Sequence, residues 1–231
     1  MISAEKIIVA LDTQDLAKLK QLFLDLSGHK VWVKVGMELY YAMGPEVIFQ
    51  AKELGFKVFL DLKLHDIPNT VGQSLKSLSK LPIDMVNVHA AGGKEMMTRA
   101  FEALSEIPKK PLLIAVTQLT STTQEQMNNE QGIPGKLESS VLHYAKLAHE
   151  CRLDGVVSSP LEVQAIKKLL GPEFLTITPG IRPGGEELND QKRVTTPAEA
   201  LAFGTDYMVI GRPITQNESP QEALKNILKG I

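Results

Sequence analysis

The stretch Phe59-Leu60-Asp61-Leu62-Lys63-Leu64-His65-Asp66-Ile67-Pro68-Asn69-Thr70 decides how the rest of the chain is read. Val58, Leu60, Leu62 and Leu64 alternate with Phe59, Asp61 and Lys63, and side chains on a strand repeat every second residue. A regular strand here presents one continuous aliphatic face, while its other face ends in a carboxylate followed by an ammonium. Asp66, Pro68 and then Val71, Leu75 and Leu78 at helical spacing predict a helix with Asp66 as N-cap and proline in its first turn. Two opposite charges at a strand's end, with a third at the next helix's start, are costly to assemble in a partly dry place.

The same strand-then-helix pattern extends both ways. Upstream, Ile7 to Leu11 and Val31 to Val35 read as buried strands ending near Asp12 and Lys34. Their helices are expected at Asp15 to Leu26, apolar at helical spacing, and after Gly44-Pro45. Downstream, strands are expected at 85–89, 112–116, 155–157, 174–178 and 207–210. Helices are expected at 94–104, 137–150, about 160–170, 197–203 and 220–228. Roughly eight such units fit an α/β fold of one kind, a single (β/α)8 TIM barrel spanning 1–231 as one domain. A doubly wound sheet is the alternative, but it usually has fewer units.

Composition narrows the partners. The 231 residues are 43% hydrophobic with a formal net charge of −2 and no basic stripe, which argues against nucleic acid. No apolar run approaches the ~18 residues of a membrane span, and the opening residues do not read as a secretory signal. A lone cysteine, Cys151, precludes an internal disulfide and fits a reducing, cytoplasmic setting. The glycine-rich pieces match neither dinucleotide nor Walker signatures.

In a barrel the active site lies at the C-terminal ends of the strands. Those ends carry Asp12, Lys34, Asp61 with Lys63, His89, Thr117 with Thr120, and Arg212. The loops after strands 7 and 8, which commonly bind phosphate in this fold, carry Gly180, Arg182, Gly184, Gly185 and Gly211-Arg212. Glycine lets backbone N–H groups approach an anion, and arginine grips phosphate in a fork. A phosphorylated small molecule is expected, its reactive part near strands 1 to 3. Asp61 and Asp66 beside Lys63 favour an ammonium, which is a poor Schiff-base nucleophile and a good proton donor. Lys34 and Lys63 would repel a metal cation. The alternation Lys34–Asp61–Lys63–Asp66 suits a reaction that forms a carbanion and protonates it. Blander readings stand beside these: helix capping for Asp66, a structural ion pair for Asp61 and Lys63, and a turn cap for Thr120. His89 reads as a buried hydrogen-bonding residue, Trp32 as packing, and Ser121 to Gln131 as a solvated loop with some helix.

Asp61-x-Lys63-x-x-Asp66-Ile67-x-x-Thr70 carries without departure the D-x-K-x-x-D-I-x-x-T signature of the orotidine 5′-phosphate decarboxylases, and the chain resembles that family. Ala10-Leu11-Asp12, Val33 to Met37, Val86 to Gly93, Val116 to Ser121, Thr178 to Arg182 and Val209 to Arg212 support the resemblance in order along the chain. It implies decarboxylation of orotidine 5′-phosphate to UMP in pyrimidine biosynthesis, with no cofactor and no metal. It implies that Lys63 protonates carbon 6 after carbon dioxide leaves and that Asp61 lies against the departing carboxylate. Lys34 would bridge Asp61 and the ribose, and Asp12 would bind a ribose hydroxyl. Thr120 would contact the pyrimidine, while Arg182, Gln191, Gly211 and Arg212 would hold the 5′-phosphate under a lid spanning 179–191. Asp66, Ile67 and Thr70 would reach into the neighbouring subunit's site, implying a homodimer with shared sites. Two other readings are a magnesium-dependent decarboxylase or aldolase of a sugar phosphate, and a non-catalytic nucleotide-binding barrel. The magnesium-dependent relatives share D-x-K-x-x-D but carry an acid where this chain has Lys34.

Overall fold

A computed structural model describes residues 1–183 and 194–230. Its first half comprises β1 (Ile7–Ala10), α1 (Leu16–Leu26), β2 (Trp32–Gly36), α2 (Met37–Met43), α3 (Glu46–Glu53), β3 (Lys57–Leu64), α4 (Pro68–Leu78), β4 (Met85–His89) and α5 (Gly93–Ser105). The second half comprises β5 (Leu112–Val116), α6 (Gln124–Asn129), α7 (Leu137–Glu150), β6 (Gly155–Val157), α8 (Val163–Leu170), β7 (Leu175–Thr178), α9 (Pro197–Ala202), β8 (Tyr207–Ile210), α10 (Arg212–Thr215) and α11 (Pro220–Lys229). The eight strands are parallel, pair in chain order and close through β8 on β1, so the expected (β/α)8 barrel is the fold.

Each strand is buried on both faces, which is why its sequence is so apolar. Outward residues such as Val9, Val33, Val35, Leu60, Val86 and Val88 pack under the helices. α1 shows how a helix is fixed there. Asp15 caps it by accepting from the N–H groups of Ala17 and Lys18, and Leu19, Leu22, Phe23 and Leu26 are buried. Each such side chain contributes about 1.5–3 kcal/mol on leaving water. Inward residues form a separate core of Ile8, Trp32, Phe59, Met85, Ile114 and Ile177 with their neighbours. Trp32 packs edge-on against Tyr207 in that core. The inward rows start apolar and turn polar two residues on: Trp32 then Lys34, Phe59 then Asp61, Met85 then Asn87. A dry floor therefore supports a charged mouth.

Three local expectations are corrected. Asp66 is not the N-cap of α4. Ile67 holds that position without a side-chain cap, and the Asp66 carboxylate instead accepts from the Ile67 N–H at 2.7 Å. Pro68 opens the helix with its own fixed φ, so the turn forms without a carboxylate cap. β3 is not a regular strand to its end: Leu60 pairs with Val86 but Leu64 with Val88, and Lys63 adopts φ 50°. Two short helices add to the expected units: α2, entered directly from β2, and α10, separated from β8 by Gly211 alone. The polar connection after β5 does contain a helix, α6, held by a capping box between Thr123 and Gln126. Among the described residues no helix is long and apolar enough to cross a membrane.

Candidate active site

A cavity of about 560 Å³ opens at the C-terminal ends of the strands. Asp12, Lys34, Asp61 and Lys63 line one side, Thr120 another, and Arg182, Gly211 and Arg212 a third. Four charges form a continuous alternating row. The Lys34 ammonium lies 3.0 Å from Asp12 Oδ1 and 3.3 Å from Asp61 Oδ2, and the Lys63 ammonium lies 2.8 Å from Asp61 Oδ1. The row thus runs from Asp12 to Lys63. Asp66, expected as its last member, is exposed at the rim, and with Ile67 and Thr70 it lies outside the cavity lining of its own chain.

Burial sets the energetics of this row. It opposes the charge on Asp61, but the ammonium groups of Lys34 and Lys63, with hydrogen bonds from Lys63 and Asn87, overrule it and hold the carboxyl below its usual range. Burial likewise opposes the charge on Lys34, and Asp61 and Asp12 overrule it and raise the amine. Removing one partner would strand a charge in a low-dielectric place, which costs more than the pair gains. The row is therefore stable only as a whole.

The strand register explains how these groups meet. Lys34 pairs with Phe59 and Gly36 with Asp61, so the Lys34 side chain leans along β2 to reach the carboxylate. The Lys63 ammonium meets Asp61 from the irregular end of β3. On the far side, Ile181 and Thr195 form a one-residue parallel bridge, with the Arg182 N–H donating to the Thr195 carbonyl at 3.0 Å. These contacts tie Gly180, Ile181 and Arg182 to Thr195, and Arg182 is buried. Gln191, Gly184 and Gly185 lie outside the described residues. His89, the last residue of β4, is half-buried and outside the cavity lining; its Nδ1 accepts from the Ala91 N–H and its ring stacks on His65.

Several residues of the site escaped the sequence reading. Gln118, Ser121, Thr215 and Gln216 also line the cavity. Asn87, fully buried, donates from Nδ2 to Asp61 Oδ1 at 2.7 Å. Its signal was present: in Met85-Val86-Asn87-Val88 it is the polar residue of the inward row. No group of three or more His, Cys, Asp or Glu side chains among the described residues could hold a metal ion.

Comparison with known proteins agrees with this geometry. The family described as orotidine 5′-phosphate decarboxylase / HUMPS matches residues 5–227. Orotidine 5′-phosphate decarboxylase of Staphylococcus aureus strain Newman is 53% identical over 220 residues, covering 95% of each chain. The enzyme of that name from strain Mu3 is 52% identical over the same span. Among solved structures, orotidine 5′-phosphate decarboxylase from Lactobacillus acidophilus superposes with a TM-score of 0.85 at 41% identity, covering 97% of each chain. An uncharacterized conserved protein from Geobacillus kaustophilus gives 0.85 at 42% identity, over 97% of this chain and 99% of its own. The chain belongs to the orotidine 5′-phosphate decarboxylase / HUMPS family.

Proposed function

We propose that residues 1–231 act as one catalytic domain that decarboxylates orotidine 5′-phosphate to UMP in pyrimidine biosynthesis. The observation that carries this reading is the Lys63 ammonium, 2.8 Å from Asp61 at the mouth of a cavity whose opposite wall carries Arg182 and Arg212. In the proposed reaction the bond from carbon 6 to the carboxylate breaks and its electron pair stays on carbon 6. Carbon dioxide leaves past Asp61, and an N–H of the Lys63 ammonium gives its proton to carbon 6. The neutral amine then regains a proton from water. Lys34 bridges Asp61 and the ribose, and Asp12 binds a ribose hydroxyl. Thr120 meets the pyrimidine, while Arg182, Gln191, Gly211 and Arg212 hold the phosphate.

The 5′-phosphate is remote from the reacting carbon, yet its binding matters. Enzymes lower barriers by ~8–23 kcal/mol, and a carbanion without an electron sink lies at the demanding end of that range. Binding energy from the phosphate drives closure and desolvation around carbon 6 and so contributes to the barrier as well as to affinity.

The working unit in this proposal is a cytoplasmic homodimer. Asp66, Ile67 and Thr70 reach the site of a second copy, with Asp66 completing the row of charges beside that copy's Lys63. Two features support this: Ile67 is 66% exposed, and a groove of about 530 Å³ beside it is lined by Leu62, Leu64, Asn69 and Thr70. The test is the absorbance change of orotidine 5′-phosphate with purified protein in excess chelator. Conversion to UMP unaffected by the chelator is expected. No conversion, or conversion abolished by the chelator, contradicts the reading.

A further inference from the structure

We infer that Asn87 is a positioning residue for the reaction, a clamp whose carboxamide holds both the Asp61 carboxylate and the backbone turn at Lys63. Nδ2 of Asn87 donates to Asp61 Oδ1 at 2.7 Å, and its Oδ1 accepts from the Lys63 backbone N–H at 2.8 Å. The amide orientation is fixed by these partners, because a carboxylate can only accept and an N–H can only donate. A flipped amide would lose both bonds.

Lys63 needs such a clamp. Its φ of 50° is a left-handed conformation that disfavours a residue with a Cβ by about 1–2 kcal/mol. It also sits within the break in the β3–β4 ladder, between the Leu60–Val86 and Leu64–Val88 pairs. The Asn87 carbonyl takes its N–H and so holds the turn. The same carboxamide meets the Asp61 oxygen that receives the Lys63 ammonium, while the other oxygen faces Lys34. Rotation of the Asp61 carboxylate is thereby blocked, and the 2.8 Å separation of Lys63 and Asp61 is set by one rigid side chain. Packing alone gives no reason for an amide here, since Met85 and Ile114, on the same inward face, are apolar. Asn87 lies behind the cavity lining and acts only through Asp61 and Lys63. Its role therefore rests on the roles proposed for those two residues.

Asn87→Asp separates positioning from mere support. The introduced carboxyl group would be buried beside Asp61, and both circumstances favour its protonated form. Protonated, it donates to Asp61 and accepts from the Lys63 N–H as the amide does; ionised, it repels Asp61. The charged or titratable groups around it are Asp61 and Lys63 on β3, Lys34 beyond Asp61, and His89 on its own strand. Its partner on β5, Ile114, carries no charge. Relative to the parent, kcat of N87D is expected to rise about tenfold or more as pH falls from about 8.5 to about 6, as the introduced group gains its proton. KM is expected to stay within about threefold of the parent. N87A is expected to lose about a hundredfold in kcat at every pH, the scale of a catalytic group misplaced by an ångström, with UMP affinity nearly unchanged. If N87A is insoluble, N87S gives the same comparison, because its short side chain cannot span both partners. The inference is overturned if N87A or N87S keeps kcat within about threefold of the parent, or if the loss in N87D does not vary with pH, while Lys63→Ala is inactive. An active Lys63→Ala variant would instead remove the reading of Lys63 itself, so the two failures are distinguishable.

Discussion

Gly36 and Lys34 share one small volume at the end of β2. A methyl group on Gly36 would stand 2.8 Å from Lys34 Nζ and 3.2 Å from Asp12 Oδ1. The first atom it meets is the far end of a flexible side chain, so the fold can yield while the charge is displaced. Gly36→Ala is therefore expected to fold normally and to lose about ten- to a hundredfold in kcat/KM, as misplacement of a catalytic group does. Unchanged kcat/KM would show that Lys34 need not stand where it does.

The row of charges sets a pH window for stability. Asp61 is depressed in the folded state, so its contribution is complete above the unfolded carboxyl value of about 3.9 and is lost as pH falls through the lower folded value. Lys34 is raised, so its contribution is complete below about 10.4 and is lost as pH rises through the folded value. Near neutral pH His89 contributes a slope. Burial, then His65 and Lys63, hold its imidazole below the ordinary range. The unfolded chain thus binds the extra proton first, and stability falls as pH drops below about 6.5. Thermal midpoints of the parent and His89→Gln, measured from pH 8 down to about 5.5, are expected to show a steeper fall for the parent. Parallel curves would refute this.

Shared sites can be tested by mixing. Asp66→Ala disables the contribution each copy makes to its neighbour, and Arg212→Ala disables the copy's own cavity. Each variant alone is expected to be nearly inactive. In a mixture, half the dimers are mixed and each holds one intact site, so about a quarter of the parental activity should return, provided subunits exchange freely. A mixture no more active than its parts would place Asp66 in its own chain's chemistry.

β6 and β7 approach unusually closely at Gly155. A Cβ there would lie 2.3 Å from the Leu175 carbonyl oxygen, which is backbone and cannot swing away. Gly155→Ala is expected to destabilise by about 1–3 kcal/mol or more, as overpacking does, and to lower the denaturation midpoint accordingly. A midpoint equal to the parent's would contradict the close contact.

Much of the fold was legible because its signals are local. Strand alternation and helical spacing marked the eight units, and the bounds of β4, β5, β6, β8 and α7 agree with the reading of their sequences. The misses share a physical cause. α2 and α10 are only seven and four residues long, too short for the helical repeat that marks the longer helices. Lys63 looked like an ordinary alternating strand residue, and its left-handed turn depends on Asn87, 24 positions away. Asp66 matched a capping pattern, but Pro68 made the cap unnecessary. At the site, charge marks the strand-end residues, whereas Asn87 shows only as one neutral polar residue in the inward row of β4. Charge announces itself in a sequence; the group that holds it in place does not.

The most direct test of the central claim is turnover of orotidine 5′-phosphate by Lys63→Ala, measured alongside UMP binding to the same sample. Loss of a proton donor at the reacting carbon is expected to remove at least about 10⁴-fold from kcat, the upper range for general acid catalysis, while UMP still binds. Turnover within about tenfold of the parent would contradict the account.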